Sequence, residues 1–233
     1  MIKIKHTDVY GWEAAIRGMR NPMNSWDKSD SDWEFVEDIA TINPNDEVKF
    51  VAGENDLKLM KNLSKAGNDH AKFLRMINVT VDITAPLYWW KEFDTYKVGT
   101  VANSCSTMHK IHEKEFTEED FSFEHLTEGS LNSVGRPIIS VLNNVREAYL
   151  HYEEWTEIDP ESWEDGINCK KDLWWQLIQL LPSSYNQKRT VQLNYQVLKQ
   201  MYFARRNHKL DEWRDFCKWC ESLPYFREIC IQE

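Results

Sequence analysis

Between residues 77 and 83 apolar and polar side chains alternate without a break. Ile77, Val79, Val81 and Ile83 fall on one side, and Asn78, Thr80 and Asp82 on the other. A period of two belongs to a β-strand with one buried face, so the chain must hold a sheet and something to cover its apolar side. Ala85-Pro86 ends the strand, because proline lacks the N–H that a ladder needs. The aromatic-rich run 87–95 then reads as helix. Past Pro137, which suits a helix's first turn, the period changes. Ile138, Val141, Leu142, Val145, Ala148, Tyr149 and Tyr152 recur at helical spacing. Asp172 is placed to cap a helix through LWWQLIQLL that stops at Pro182, and two more helices read over 190–205 and 211–222. Strands in the amino half and helices in the carboxyl half predict an α+β fold. The expectation is a central β-sheet flanked by helices, with a mostly helical C-terminal half, in a single domain over 1–233.

The amino half is less regular. Thr7 or Asp8 is placed to cap a first helix running to about Arg20. Residues 21–33 read as a polar loop, and 35–51 centre on a turn at Asn43-Pro44-Asn45-Asp46. Asn55 or Asp56 is placed to cap a helix with Leu57, Met60 and Leu63 on one face, ending at Gly67. Residues 112–130 are acidic and read as a loop with a short helix.

Composition excludes several function classes. With 42% hydrophobic residues in 233, the chain can bury a sizeable core. Its formal charge of −10 opposes bulk attraction to nucleic acid or an anionic membrane, while leaving room for a local pocket for one phosphate. No segment approaches the ~18 consecutive apolar residues of a membrane span, and the first residues carry no apolar run of signal-peptide length. The five cysteines, at 105, 169, 217, 220 and 230, show no disulfide framework. Together these predict a reduced, soluble, cytoplasmic protein.

The common catalytic signatures GxGxxG, P-loop, HExxH and GxSxG are absent. Cys217 and Cys220 form a CxxC with no second pair. They lie in a helical stripe with Trp213 and Phe216, which points to buried core thiols rather than a zinc site. His109 and His112 are three apart beside an acidic loop, with no evident further metal ligand, and read as solvated. More telling is the stretch 190–205. Val191, Leu198, Met201 and Tyr202 give a buried stripe. Asn194 and Arg205, eleven residues apart, fall almost three turns apart on one face of a helix of ~3.6 residues per turn. An amide and a guanidinium beside an apolar stripe need partners: a helix-to-helix bond and solvent are one solution, a ligand groove the other.

Three stretches resemble the flavin-dependent thymidylate synthase family, ThyX. The first starts at His70, continues through the strand and Ala85-Pro86-Leu87-Tyr88, and reaches Ile111. Counted without gaps, the family signature R-H-R-x-x-S-x-N-E-x-S-x-R-Y falls on residues 95–108, beginning Thr95-Tyr96-Lys97-Val98-Gly99-Thr100. The second is Leu181-Pro182 with Asn194 twelve residues after the proline and Arg205 eleven further on, both family spacings. The third is the opening Glu13-Ala14-Ala15-Ile16-Arg17. In this register Thr95, Lys97 and Thr107 replace signature arginines, Cys105 a serine, Glu92 a glutamine, and Ile178 the arginine before Leu-Pro.

The resemblance implies a homotetramer with FAD at subunit interfaces. It implies methyl transfer to dUMP from methylenetetrahydrofolate, with NADPH supplying the hydride. It assigns His70 and Asn194 to FAD, Arg205 to the pyrimidine ring of the nucleotide as the catalytic residue, and Lys97 and Thr100 to phosphate or flavin. The missing arginines imply weakened phosphate binding. They keep two alternatives open: a non-catalytic relic of the fold, or a flavoprotein acting on another pyrimidine nucleotide.

Overall fold

The computed structural model describes residues 2–35, 48–158 and 167–232. In chain order it shows β1 (Lys3–Tyr10), α1 (Trp12–Arg20), β2 (Asp32–Phe35), β3 (Val48–Val51), α2 (Glu54–Lys65), β4 (Asn78–Pro86), α3 (Leu87–Phe93) and β5 (Val101–Ser104). The single turn α4 (Glu128–Ser130) follows, then α5 (Arg136–Leu150), α6 (Tyr152–Ile158), α7 (Lys170–Leu180), β6 (Asn186–Asn194), α8 (Tyr195–Arg205) and α9 (Asp211–Ser222). The fold is α+β, as the patterning predicts.

One sheet has the strand order β1-β4-β6-β5. At one end of the β4/β6 pair Tyr195 N–H donates to Ile77 O, and at the other Leu87 N–H donates to Tyr185 O, so these strands run antiparallel. In β4 the alternation becomes burial: Val79, Val81 and Ile83 are buried, and the intervening residues are half-buried. A second, two-stranded sheet pairs β2 with β3 antiparallel, Asp32 opposite Val51 and Phe35 opposite Val48.

The chain divides into two compact units. One comprises Met1–Lys3, Ile83–Thr95 and Asn103–Thr190. Its core joins Ile111, Phe116, Phe121, Ile139, Leu142 and Leu177, with Ile138, Val145 and Tyr149 packed alongside. The other comprises Ile4–Asp82, Tyr96–Ala102 and Val191–Glu233. Its core is aromatic: Trp12 stacks on Phe50 at 5.4 Å, Tyr195 meets Trp12 edge-on at 5.5 Å, and Phe226 meets Tyr195 at 5.4 Å. Cys217, Cys220 and Cys230 are buried in this unit as free thiols.

Several local expectations need correction. Thr7 and Asp8 cap no helix; they lie in β1, and α1 starts only at Trp12 after Gly11, whose φ of 94° breaks the strand. Residues 21–33 hold two short 3-10 turns rather than a featureless loop, and Asp32 and Trp33 already belong to β2. Neither Asn55 nor Asp56 caps α2. Gly53 takes that position, and the Asp30 carboxylate accepts from the Asn55 and Asp56 N–H groups instead. Asp172 is not the cap of α7 but its third residue, reaching back to the N–H of Cys169. Most consequential for function, 190–194 is the end of strand β6 and not the start of a helix. The expected turn at 43–46 lies outside the described residues.

Candidate functional site

β6 runs straight into α8, and Asn194 is the junction. Its backbone is extended (φ −129°, ψ 167°) while its side-chain Oδ1 accepts the Val197 N–H at 3.1 Å, an N-cap. Tyr195, Gln196, Val197, Leu198, Met201 and Tyr202 are all buried, so packing on several sides holds α8 in its unit. Arg205 is the last helical residue. Asn194 therefore stands just outside the helix as its cap, not within it as the sequence reading has it. Asn194 and Arg205 mark the two ends of one helix, about 16 Å apart at ~1.5 Å per residue.

At the far end Arg205 is held by aromatics. Its Nε–H donates to the Tyr96 hydroxyl at 2.9 Å. Its guanidinium carbon lies 4.8 Å from the ring centre of fully buried Trp213 and 5.6 Å from that of Tyr96. Tyr96 opens a loop that returns to the other end of α8. The Thr100 hydroxyl donates to the Tyr96 carbonyl, closing the loop on itself. Gly99, at φ 78°, presses on the helix start: a Cβ there would lie 3.1 Å from Asn194 Nδ2 and 3.1 Å from Val197 Cγ2. Only glycine meets both the backbone angle and the close approach. Lys97 and Val98, at the loop's tip, are exposed. One five-residue loop thus touches both ends of α8.

His70 lies in the turn before a short 3-10 helix, Ala71–Arg75, and its side chain is exposed. Two residues earlier, Asn68 Oδ1 accepts from Gln196 Nε2 at 3.3 Å. Lys199 Nζ donates to Ser64 Oγ at 2.7 Å, so the segment leading to His70 is fastened to the first turns of α8. The five residues singled out from sequence, His70, Lys97, Thr100, Asn194 and Arg205, all belong to the same unit. Lys97 and Thr100 lie in the loop whose Tyr96 and Gly99 touch the two ends of α8, Asn194 and Arg205 mark those ends, and His70 is two residues beyond Asn68, which bonds Gln196 of α8. Among the described residues, neither the His70 imidazole, the Lys97 ammonium nor the Asn194 amide nitrogen makes a hydrogen bond.

Sequence reasoning missed three features. Tyr96 and Trp213 carried no signal as partners of Arg205. The buried Arg20–Asp56 pair, at 2.7 Å, fixes the start of α2. Burial alone would raise the Asp56 carboxyl, but donors from Ser31, Ser29, Arg20 and the Asp30 N–H overcome this and hold it below its ordinary value. In the other unit Arg189 stacks over Trp90 at 4.2 Å, donates to Asp94 at 2.7 Å and to Gln187 at 2.9 Å, and is a cation already committed to its own unit. His109 and His112 lie in turns, with the His112 ring 4.7 Å from that of Tyr149. Among the described residues no three histidine, cysteine or acidic side chains are placed to hold a metal.

No protein-family model matches the chain, and no curated protein sequence matches it. Solved structures do. A thymidylate synthase X (ThyX) from Helicobacter pylori, crystallised with FAD and dUMP, is 18% identical with a TM-score of 0.61, over 98% of this chain and 96% of that one. A flavin-dependent thymidylate synthase ThyX from the same organism, complexed with FAD and dUMP, is 18% identical with a TM-score of 0.60, over 98% and 97%. The likeness is one of fold: this chain has a ThyX-like fold. Among the described residues no helix is long and apolar enough to cross a membrane.

Proposed function

We propose that this chain is a ThyX-like flavoprotein that binds FAD and a pyrimidine nucleotide along α8 and transfers a methyl group to dUMP at a reduced rate. The observation that carries this reading is the pair of ends of α8. A capping amide and an aromatic-held guanidinium are spanned by one glycine loop, in a fold shared with structures that hold FAD and dUMP.

The donor set fits such ligands. The Asn194 Oδ1 is committed to the cap, which leaves its NH₂ as a donor. The His70 imidazole and the Lys97 ammonium are exposed, suited to phosphate or to ring acceptors. Asn194, His70, Lys97 and Thr100 would hold FAD, and Arg205 would meet the pyrimidine ring. The flavin, when bound, supplies hydride chemistry, with NADPH and methylenetetrahydrofolate as co-substrates. The chain's own residues bind and orient. The functional unit is a cytoplasmic homotetramer of single 1–233 domains.

Specific residues favour a second reading. Thr95, Thr107 and Ile178 stand where the resemblance expects arginine. Each missing charge-assisted hydrogen bond is worth about 1.5–3 kcal/mol, so dUMP affinity falls by orders of magnitude if nothing compensates. A relic without catalysis, or a flavoprotein for another pyrimidine nucleotide, would follow.

Absorbance of the purified protein after incubation with FAD decides between them. The proposal expects retained flavin, lost in Asn194→Ala and in His70→Ala and kept in Arg205→Ala, together with slow conversion of dUMP to dTMP. A protein that retains no flavin at all refutes the proposal and leaves the relic. Retained flavin with no turnover of dUMP points to another pyrimidine.

A further inference from the structure

Arginine is a flexible side chain, and a ligand that recruits a disordered guanidinium must immobilise it. Arg205 is already immobilised. Trp213 comes from α9, is fully buried, and is itself wedged edge-on against Phe216 at 5.6 Å. It offers a fixed ring to the guanidinium at 4.8 Å. Tyr96 comes from the loop before β5; its hydroxyl takes the Nε–H at 2.9 Å, and its ring stands 6.2 Å from Trp213 at 64°. The loop behind Tyr96 is fixed by the Thr100 bond to its carbonyl and by Gly99 against Asn194 and Val197. The two rings restrain where the guanidinium sits, and the Nε bond restrains its rotation. In the register of the sequence resemblance, Tyr96 stands between Thr95 and Lys97, the two positions where arginines are replaced.

We infer that Tyr96 is a positioning residue for Arg205: its hydroxyl orders the guanidinium on Trp213 in advance, so that a planar ligand carrying ring carbonyl acceptors meets a rigid donor. This rests on the reading that Arg205 faces the pyrimidine ring. It deepens that reading by shifting recognition from the phosphate, where cations have been replaced, to the base. A nucleotide site that has lost arginines at Thr95, Thr107 and Ile178 gains most from holding its base-reading cation still.

Tyr96→Phe is the test, because it deletes the hydroxyl and leaves the ring. The first readout needs no ligand. In the ¹⁵N spectrum of the free protein the Arg205 Nε–Hε signal, assigned by its loss in Arg205→Lys, exchanges slowly with water, and Tyr96→Phe speeds that exchange about tenfold. The second readout is dUMP binding by calorimetry. Tyr96→Phe weakens it by roughly five- to tenfold, while flavin retention stays at the wild-type level. Unchanged exchange in Tyr96→Phe overturns the inference, and so does faster exchange with unchanged dUMP affinity. If the wild type binds no dUMP, the proposed function fails. The exchange measurement then decides by itself whether Tyr96 holds Arg205.

Discussion

Removing the Asp56 carboxylate should be among the most damaging single changes in the chain. Arg20 and Asp56 are almost completely buried, and their 2.7 Å pair is the centre of a network. Asp56 Oδ2 also accepts from Ser29 and Ser31, each at 2.7 Å, and from the Asp30 N–H at 3.1 Å. Arg20 also donates to the carbonyls of Ser25, at 3.1 Å, and Lys28, at 2.9 Å. One carboxylate thus ties α1, the turns that follow it and the start of α2 together. Asp56→Ala leaves the guanidinium buried without its counter-charge and two hydroxyls without their acceptor. Breaking a buried pair from one side costs about 3–5 kcal/mol. In a chain of this length that is a fall in thermal midpoint of roughly 6–20 °C.

The assay is urea and thermal unfolding of wild type, Asp56→Ala and the double variant Arg20→Met/Asp56→Leu. The double variant should recover much of the loss, because it removes both charges and refills the space. The pH dependence has a definite sign. The folded carboxyl titrates below its ordinary value of 3.8. The stability it contributes is therefore present above that value and is lost as pH falls through the folded one. The gap between wild type and Asp56→Ala should hold steady from pH 5 to 8 and close below about 3.8. An Asp56→Ala protein within 1 kcal/mol of wild type at neutral pH would show the network to be dispensable.

Two further outcomes concern the thiols and the loop before β5. Cys217 is pushed up to about 11 and Cys230 to about 12 by burial, and Cys220 is raised as well, whereas Cys105 and Cys169 are exposed; a disulfide reagent at pH 8 should modify two thiols quickly and the other three only on unfolding, and five fast thiols would contradict the packing. Gly99→Ala forces a side chain into a backbone of φ 78° against Asn194 and Val197, which should cost about 1–2 kcal/mol and speed hydrogen exchange at the capped Val197 amide; an equally stable variant with unchanged exchange would mean that the loop does not press on the helix.

What could be read from sequence was set by how burial is distributed along each element. β4 is buried on one face along its whole length, so its side chains carry the period of two. α9 likewise emerges with the bounds that its stripe of Trp213, Phe216, Cys217 and Cys220 implies. β1 lies at an end of the sheet order, and most of its residues are exposed, so KIKHTDVY shows no buried face and its polar residues resemble a helix cap. β6 misleads for a different reason. Its buried positions are Gln187, Val191 and Leu193, and the last two run directly into the buried Tyr195, Val197 and Leu198 of α8. Two periods joined at a single residue read as one helix.

That same junction shows why the site was half legible. The eleven-residue interval from Asn194 to Arg205 is visible in sequence, but Asn194 is the cap of α8 and Arg205 its last residue, so the interval measures the length of the helix. The amide has a local duty, capping the Val197 N–H, that its spacing cannot announce. The partners of Arg205 come from elsewhere: Tyr96 lies 109 positions away in the chain and Trp213 on the next helix. No periodicity links them, because their contact is made by a loop whose course depends on a glycine at positive φ. Helix spacing therefore finds the two ends of the site, and only the folded loop shows that Tyr96 and Gly99 connect them. The chemistry of each end is then separable. The amide end is built from backbone junction and cap, the guanidinium end from rings that meet edge-on, and a change at one should reach the other only through the five residues from Tyr96 to Thr100.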